Sequence, residues 1–457
     1  MAAGVVMLAA CNAAKVERGA EVTRFAGEMK AREAAAGIMP GAVLSMKECE
    51  EIALKSSLSL SVARLRYRLQ DDNVRLALAT GLPTAKVYYS NQMRSNPNTV
   101  NQGGMTFPVD NQQSQMVSVN ATVPVLDFAT TYYAWQIAKD HRRQEALVLR
   151  RSEQQLRRDV RVAYARHASE LRQLVLEGMN VKAATEVLRV AESLQREGLA
   201  TTAETAVVKA ALAEAEVELA NGKQRAAETK LGLAQLMSLS PLTTFEVDAK
   251  LPELPAVPEA AGLRADEDHA LRVRPELLGQ DLERHISAND VRKEIAGFLP
   301  KLDGIGSYNW SSNPFMGNPA YFLGGFQVAQ SLLEGGTRIW KVDQAKLTEK
   351  VEKERTLLLS LAVLYEVELR AIQLWQGKQT IGALEAQRAA RKVAFDRVLS
   401  LYKEGLEGEA ATAKALVELS LDTTAVDRAQ TDYLVAWYEY ETAVLPGEEG
   451  EKKSDKK

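Results

Sequence analysis

Two long stretches without proline, from about Phe128 to Glu197 and from about Thr337 to Glu404, repeat an apolar or small residue every three or four positions. The first carries Leu156, Val160, Ala163, Leu171, Leu174, Gly178, Val181, Ala184, Leu188, Ala191 and Leu194. The second carries Leu357, Leu361, Leu364, Ala371 and Leu374 in the same rhythm. This spacing lays one stripe along a helix. At 1.5 Å per residue, about 70 residues make a rod of about 105 Å. Periodicity sustained so far beyond 25 residues predicts coiled-coil-like helix assembly rather than an ordinary globular helix.

A different period governs the segment from Met116. Val117, Val119, Ala121, Val123 and Val125 alternate with Ser118, Asn120 and Thr122. Apolar against small polar at period two over about ten residues predicts a strand with lipid on one face and water on the other. Three further strands are predicted at about 86–94, 302–310 and 321–329. Tyr88, Tyr89, Tyr308, Trp310, Tyr321, Phe322 and Phe326 fall in them, several near strand ends where an interfacial aromatic girdle sits. The intervening segments, Ser95 to Asn111 and Ser311 to Pro319, read as polar surface loops. Val117, Val119, Ala121 and Val123 are the candidate lipid-facing residues.

The chain is duplicated. Ala53-Leu54, Asn73-Val74-Arg75 and Leu82-Pro83 reappear 217 residues later as Ala270-Leu271, Asp290-Val291-Arg292 and Leu299-Pro300. Further on the offset becomes 207: Ala138-Lys139 matches Ala345-Lys346, and Arg196-Glu197-Gly198-Leu199 matches Lys403-Glu404-Gly405-Leu406. The difference falls in the polar loops, which tolerate length changes. Each half therefore reads as a helix of about 35 residues (Ser45 to Thr80, or Asp266 to Ala296), two strands, the long helix, a glycine-containing turn and a last helix. The expected organisation is a signal peptide over 1–10 and an extended, lipid-anchored segment over 11–44. A first repeat follows over 45–240, a Pro-rich linker over 241–263, a second repeat over 264–446 and a charged tail over 447–457. The fold class is mainly α with a transmembrane β part.

Four strands cannot close on themselves, and an open sheet edge in hydrocarbon leaves backbone groups unpaired. Three copies would supply twelve strands, so a homotrimer is the expected assembly, with rotational symmetry closing it.

Composition narrows the chemistry. The formal net charge of -3 gives no reason to expect a nucleic-acid partner. No stretch reaches 18 consecutive apolar residues, so any membrane crossing falls to strands. His141, His167, His269 and His285 are scattered without metal-ligand spacing, and no phosphate loop, nucleophile elbow or triad is present. No metal, cofactor or enzymatic activity is expected. At the N-terminus, Leu8-Ala9-Ala10-Cys11 resembles a bacterial lipoprotein signal, which makes Cys11 the candidate lipid attachment site, carrying palmitate. Without lipidation, a Cys11–Cys49 disulfide is the alternative; Cys49 reads as a small packed side chain.

Several motifs, in order and in duplicate, resemble the outer-membrane efflux protein family. They are Leu44-Ser45-Met46-Lys47-Glu48-Cys49 followed by Ala53-Leu54; Leu82-Pro83 and Leu299-Pro300; Pro124-Val125-Leu126-Asp127 and Ser331-Leu332-Leu333-Glu334-Gly335-Gly336; and Tyr402-Lys403-Glu404-Gly405. The resemblance covers about Leu44 to Leu445. It implies a trimeric channel in which a twelve-stranded outer-membrane β-barrel joins a long α-helical barrel. Such a channel works with a periplasmic membrane-fusion adaptor and an inner-membrane pump of the RND or ABC type, in efflux or type I secretion. It implies residence in the outer membrane of a Gram-negative-type bacterium, with a periplasmic extension. Arg196, Gly198, Leu199, Glu204, Tyr402, Lys403, Gly405, Leu406 and Glu407 become the turns that face the adaptor. Some relatives carry an acid where this chain has Ala411, and another where it has Lys414; Glu204 keeps one in the first repeat, and Gln195 stands opposite Tyr402. The alternatives from other classes are a periplasmic helical scaffold and a non-transporting outer-membrane spacer.

Overall fold

The computed structural model describes residues 18–39, 41–110, 112–125, 127–330, 335–404 and 406–444. In chain order these form α1 (Arg18–Ala36), β1 (Ala42–Leu44), α2 (Met46–Ser56), α3 (Leu58–Ala79), β2 (Thr84–Met93), β3 (Thr99–Gln102), β4 (Met105–Pro108), β5 (Gln113–Pro124), α4 (Phe128–Arg196) and α5 (Thr202–Leu236). There follow β6 (Phe245–Val247), α6 (Ala260–Val273), α7 (Pro275–Ala296), β7 (Lys301–Ser311), β8 (Ala320–Ala329), α8 (Gly335–Lys403) and α9 (Glu409–Val444). The two long helices, α4 and α8, are each 69 residues. The signal segment, Cys11, Leu126, 331–334, Gly405 and the charged tail lie outside the described residues.

Local chemistry explains where the helices start and break. Ser45 opens α2 with a capping box: its hydroxyl accepts from the Glu48 amide, and the Glu48 carboxylate accepts from the Ser45 amide at 2.8 Å. The single helix expected from Ser45 to Thr80 is interrupted at Ser57, whose backbone is extended (φ -57°, ψ 124°). Its hydroxyl then accepts from the Leu60 amide and restarts the chain as α3. In the second half, Pro275 ends α6 and begins α7, because its ring removes a donor that only a first turn can spare. A second correction concerns the segment before β1. It was expected to be extended, yet 18–36 is helical, its Ala, Glu and Arg content favouring helix. Glu33 of α1 accepts from the Ser240 amide and the Thr243 hydroxyl, and Arg32 donates to the Ser56 carbonyl at 2.9 Å.

The residues group into two compact units, each drawing on both halves of the chain. One gathers Met1–Val62, Arg151–Val273 and Ala362–Lys457. Its core holds Leu60, Val160, Leu233, Met237, Phe245, Leu374, Val426 and Tyr433, all essentially inaccessible. The parallel pair β1–β6 registers Ala42 with Phe245 and Leu44 with Val247. Tyr164 of α4 places its hydroxyl 3.2 Å from the Leu44 carbonyl and 3.0 Å from that of Asp248. The Pro-rich linker that follows has few neighbours of its own to bond. Helix side chains serve it instead: Arg172 donates to the Ala249 carbonyl, Tyr433 to Pro255 (2.8 Å) and Trp375 to Pro258 (3.1 Å).

Ion pairs knit the helices of this unit. Arg161 joins Glu50 of α2 to Glu441 of α9, each at 2.8 Å. Arg225 of α5 grips Glu170 and Glu177 of α4, and Arg391 of α8 grips Glu418 and Asp422 of α9. Cys49 is fully buried and its thiol is pushed up to about 12 by burial, which fits a packed side chain.

The other unit contains Ala63–Arg150 and Arg274–Leu361, including the four-stranded sheet. Here Arg142 pairs with Asp71 at 3.0 Å and donates to the Tyr67 hydroxyl, while Gln144 donates to Glu283. Asp140, fully buried, lies 2.5 Å from His285 Nδ1. The stripe expected on α8 falls only partly inward. Ala371 and Leu374 are fully buried, but Leu357 and Leu361 are more than half exposed. A helix flanked by neighbours on two sides carries two apolar faces, and one chain covers only one of them.

His167 makes the stability of the first unit depend on pH. It is buried on α4 with Nδ1 3.0 Å from the Thr229 hydroxyl, and burial, then Lys230, pushes its pKa down to about 4. The unfolded imidazole binds its proton near pH 6.5, so the stability that His167 contributes is full above that value. It is lost as pH falls from about 6.5 to about 4, by up to about 3 kcal/mol. Thermal melts across this window should drop steeply for the native chain and less so for His167→Asn.

Candidate functional site

The sheet has the order β2-β5-β7-β8, antiparallel throughout. Its register stacks residues of one kind into rows. Val87, Val119, Tyr308 and Phe322 form one row; Tyr89, Val117, Trp310 and Ala320 the next; Ala85, Ala121, Gly306 and Gly324 another. Val123, Gly304 and Phe326 continue the same face, which is apolar from end to end. The intervening rows read Lys86, Asn120, Ser307, Leu323 and Tyr88, Ser118, Asn309, Tyr321. The sheet is therefore apolar on one face and mostly polar on the other.

Val117, Val119, Ala121 and Val123 all lie on the apolar face, and Val119 and Val123 are exposed there. Ser118, on the polar face, is buried. The apolar face runs from Leu302 to Trp310 along β7, eight residue steps or about 27 Å of strand. Tilted at about 40°, that is about 21 Å, near the height of a membrane-facing band. Not all the aromatics belong to it. Tyr88 and Tyr321 sit on the polar face, and Tyr308 and Phe322 pack together with ring centres 4.9 Å apart, inside the band rather than at its rim.

The two turns between long and last helices are built alike. After α4, Gly198 takes φ +76°, its amide donates to the Gln195 carbonyl and that of Leu199 to Leu194. This is a Schellman closure, which needs a residue free to enter the left-handed region. After α8, the Leu406 amide donates to the Leu401 carbonyl in the same six-residue relation. Leu199 and Leu406 are strongly exposed at equivalent positions, while Arg196 folds back on the Glu192 carbonyl. Tyr402, Lys403 and Glu407 are exposed beside Leu406.

Glu204 has a local task. Its carboxylate accepts from the amide and hydroxyl of Thr201, closing a capping box on α5, and the backbone hydrogen bond to Thr201 lowers its pKa. The acid that the sequence retains at this turn is thus already engaged. Ala411 is half-buried and Lys414 exposed on α9.

Sequence reasoning missed the small hairpin β3–β4, which replaces the plain loop expected over 95–111. It pairs Thr99 with Pro108 through Gln102 with Met105 around Gly103-Gly104, both glycines at positive φ (+62° and +86°). The signal was present: two glycines between short runs are a two-residue hairpin turn.

Among the described residues no group of His, Cys, Asp or Glu could hold a metal, and no helix is long and apolar enough to cross a membrane. What the arrangement offers is physical: a two-faced sheet with its outer edges on β2 and β8.

Comparisons with known proteins bear on that combination. No curated protein matches this chain. Residues 51–238 match the model of the outer membrane efflux protein family. Among solved structures, the chain is similar to the CmeC outer membrane channel of Campylobacter jejuni (TM-score 0.74, 12% identity, covering 90% of this chain and 88% of that one). It is similar to VceC of Vibrio cholerae (0.71, 16%, 88% and 96%) and to the open state of the MtrE channel of Neisseria gonorrhoeae (0.70, 17%, 87% and 88%). The match to that family covers less than half of the chain, and the solved structures, all under 25% identical, show that the chain shares the fold of these channels. The family's members are channels rather than enzymes.

Two substitutions test the two-faced sheet. Val119→Arg, in the apolar face, should cost about 2–4 kcal/mol of membrane-inserted stability, read as a loss of folded protein in detergent melts. Asn120→Arg, one residue along on the polar face, should be nearly neutral. At the turn, Gly198→Val forces a β-branched residue to positive φ and should lower the melting temperature by the equivalent of about 1–3 kcal/mol.

Proposed function

We propose that three copies complete one twelve-stranded barrel, the β8 edge of each copy pairing with the β2 edge of the next. The observation that carries this reading is the sheet itself. One face is continuously apolar, and among the described residues the outer edges of β2 and β8, ten residues each, have no strand partner. In hydrocarbon such edges cost several kcal/mol per unpaired group, and closure removes them. The half-exposed apolar residues of α8, such as Leu357, Leu358 and Tyr365, then pack against helices of neighbouring copies in a helical barrel.

On this reading the polar face lines a water-filled lumen, and the protein gives exported molecules passive passage across the outer membrane. The turns at Gly198-Leu199 and Gly405-Leu406 meet a periplasmic membrane-fusion adaptor, with Arg196, Glu204, Tyr402, Lys403 and Glu407 around them, and the adaptor couples the channel to an inner-membrane pump. Exposed leucines at both turns support this, since they offer an apolar contact that solvent alone does not favour. Lipid attachment at Cys11 rests on Leu8-Ala9-Ala10-Cys11.

Sedimentation of the purified protein in mild detergent should give a trimer; a folded monomer overturns the barrel. A deletion strain should become more susceptible to exported toxic compounds, and the Leu199→Asp, Leu406→Asp double variant should fail to restore resistance while remaining trimeric. Unchanged susceptibility on deletion would leave a structural spacer.

A further inference from the structure

The β3–β4 hairpin stands apart from the sheet, is built with care, and exposes apolar side chains to no evident purpose. Opposite pairs put Val100, Phe107 and Met105, with Gln102 beside Met105, on one face and Thr99, Pro108, Asn101 and Thr106 on the other. Each of the three apolar residues is about half exposed or more. The hairpin is held rigidly at its base. The Arg94 amide donates to the Gln112 carbonyl (2.7 Å) and the Val109 amide to Asn98 (2.8 Å). Asn313, in the β7–β8 loop, donates its side-chain amide to the Val109 carbonyl (3.0 Å), and that loop is itself bonded to β5 through Ser312 and Gln115. Asn101 and Thr106 lock the polar face with a 2.6 Å side-chain bond.

We infer that this hairpin is an outer gate: Val100, Met105 and Phe107 from three copies meet over the barrel mouth and close it with an apolar plug. The inference rests on the three-copy barrel proposed above. Only the first repeat carries the hairpin, so the mouth receives three, related by the rotation that closes the barrel. The dimensions agree. Twelve strands spaced about 4.8 Å apart and tilted about 40° enclose a radius of about 12 Å. Four residue pairs of hairpin reach about 14 Å, enough to bring the tips to the axis.

The apolar rows of the sheet's membrane face end short of the hairpin. Tyr89 is the last aromatic of the membrane face on β2, and Met93 lies four residue steps further on, about 14 Å of strand. Asn91, Arg94, Gln112, Gln113 and Gln115 form a polar collar there, between the sheet's apolar face and the hairpin. Met93 and Phe315 stand exposed near the hairpin's base, and for its outer part an identical hairpin is the apolar neighbour that symmetry supplies. A ring of such side chains excludes water from a narrow mouth and so blocks ions and small solutes.

Two measurements test the gate. In the full-length Met105→Cys protein, mild oxidation should link two of the three copies, giving linked dimer and free monomer in about a 2:1 protomer ratio on denaturing gels. The native chain, with Cys49 fully buried, should give no such link. Second, a membrane-impermeant thiol reagent added outside whole cells should label Ser307→Cys, on the polar face, at least tenfold faster once Val100→Asn and Phe107→Asn are added. An unlinked Met105→Cys trimer, or equal labelling rates, overturns the gate while leaving the barrel standing. Quenching of a Met105→Cys label by lipid-borne quenchers also overturns it, assigning the face to the outer leaflet. A monomer in sedimentation overturns the barrel and the gate together.

Discussion

A backbone amide in hydrocarbon has no water to bond, and almost everything about this protein follows from that. The four-stranded sheet satisfies its inner ladders through 29 registered residue pairs, yet β2 and β8 each leave one edge open. A soluble sheet would blunt such edges with charge, proline or a covering helix. Here Lys86 is the one charged residue between Thr84 and Met93, and β8 carries none at all. The edges are kept long, regular and uncharged, as strands meant to be paired are.

The helical part answers to a softer constraint. Apolar area rather than unsatisfied polar groups decides how α4 and α8 pack, and the chain distributes that area over two faces. The residues that do need polar satisfaction are handled one by one. The proline-rich linker, whose carbonyls find no ladder, is held by Tyr433, Trp375 and Arg172. The half-buried Arg161 is shared between Glu50 and Glu441, an arrangement whose disruption would leave a partly desolvated charge unpaired. Apart from the Arg172 bond, these contacts span sequence separations of more than one hundred residues. They explain why the compact units cut across the two repeats rather than follow them.

The acidic residue at the first turn illustrates how position alone misleads. Glu204 falls where an entrance-lining acid could stand, but its carboxylate closes the capping box with Thr201. The same threonine-to-glutamate spacing is a helix-start signature, so the competing use was visible in the sequence. Leu199 and Leu406, by contrast, have no local task and stand exposed at both turns.

The amino-acid sequence alone determined the duplication, the two long helices, the period-two strands and the glycine turns. Each of these is written in spacing along the chain and needs no distant partner. It also held, unread, the Gly103-Gly104 hairpin and the helix over 18–36. Tertiary structure decided what depends on remote residues: that α2 and α3 divide at Ser57, that Leu357 and Leu361 face outward, and that Tyr88 and Tyr321 leave the aromatic band for the polar face. Period two says that neighbouring residues take opposite faces. Only the register between strands says which residues share one, because pairing joins segments that the sequence keeps far apart.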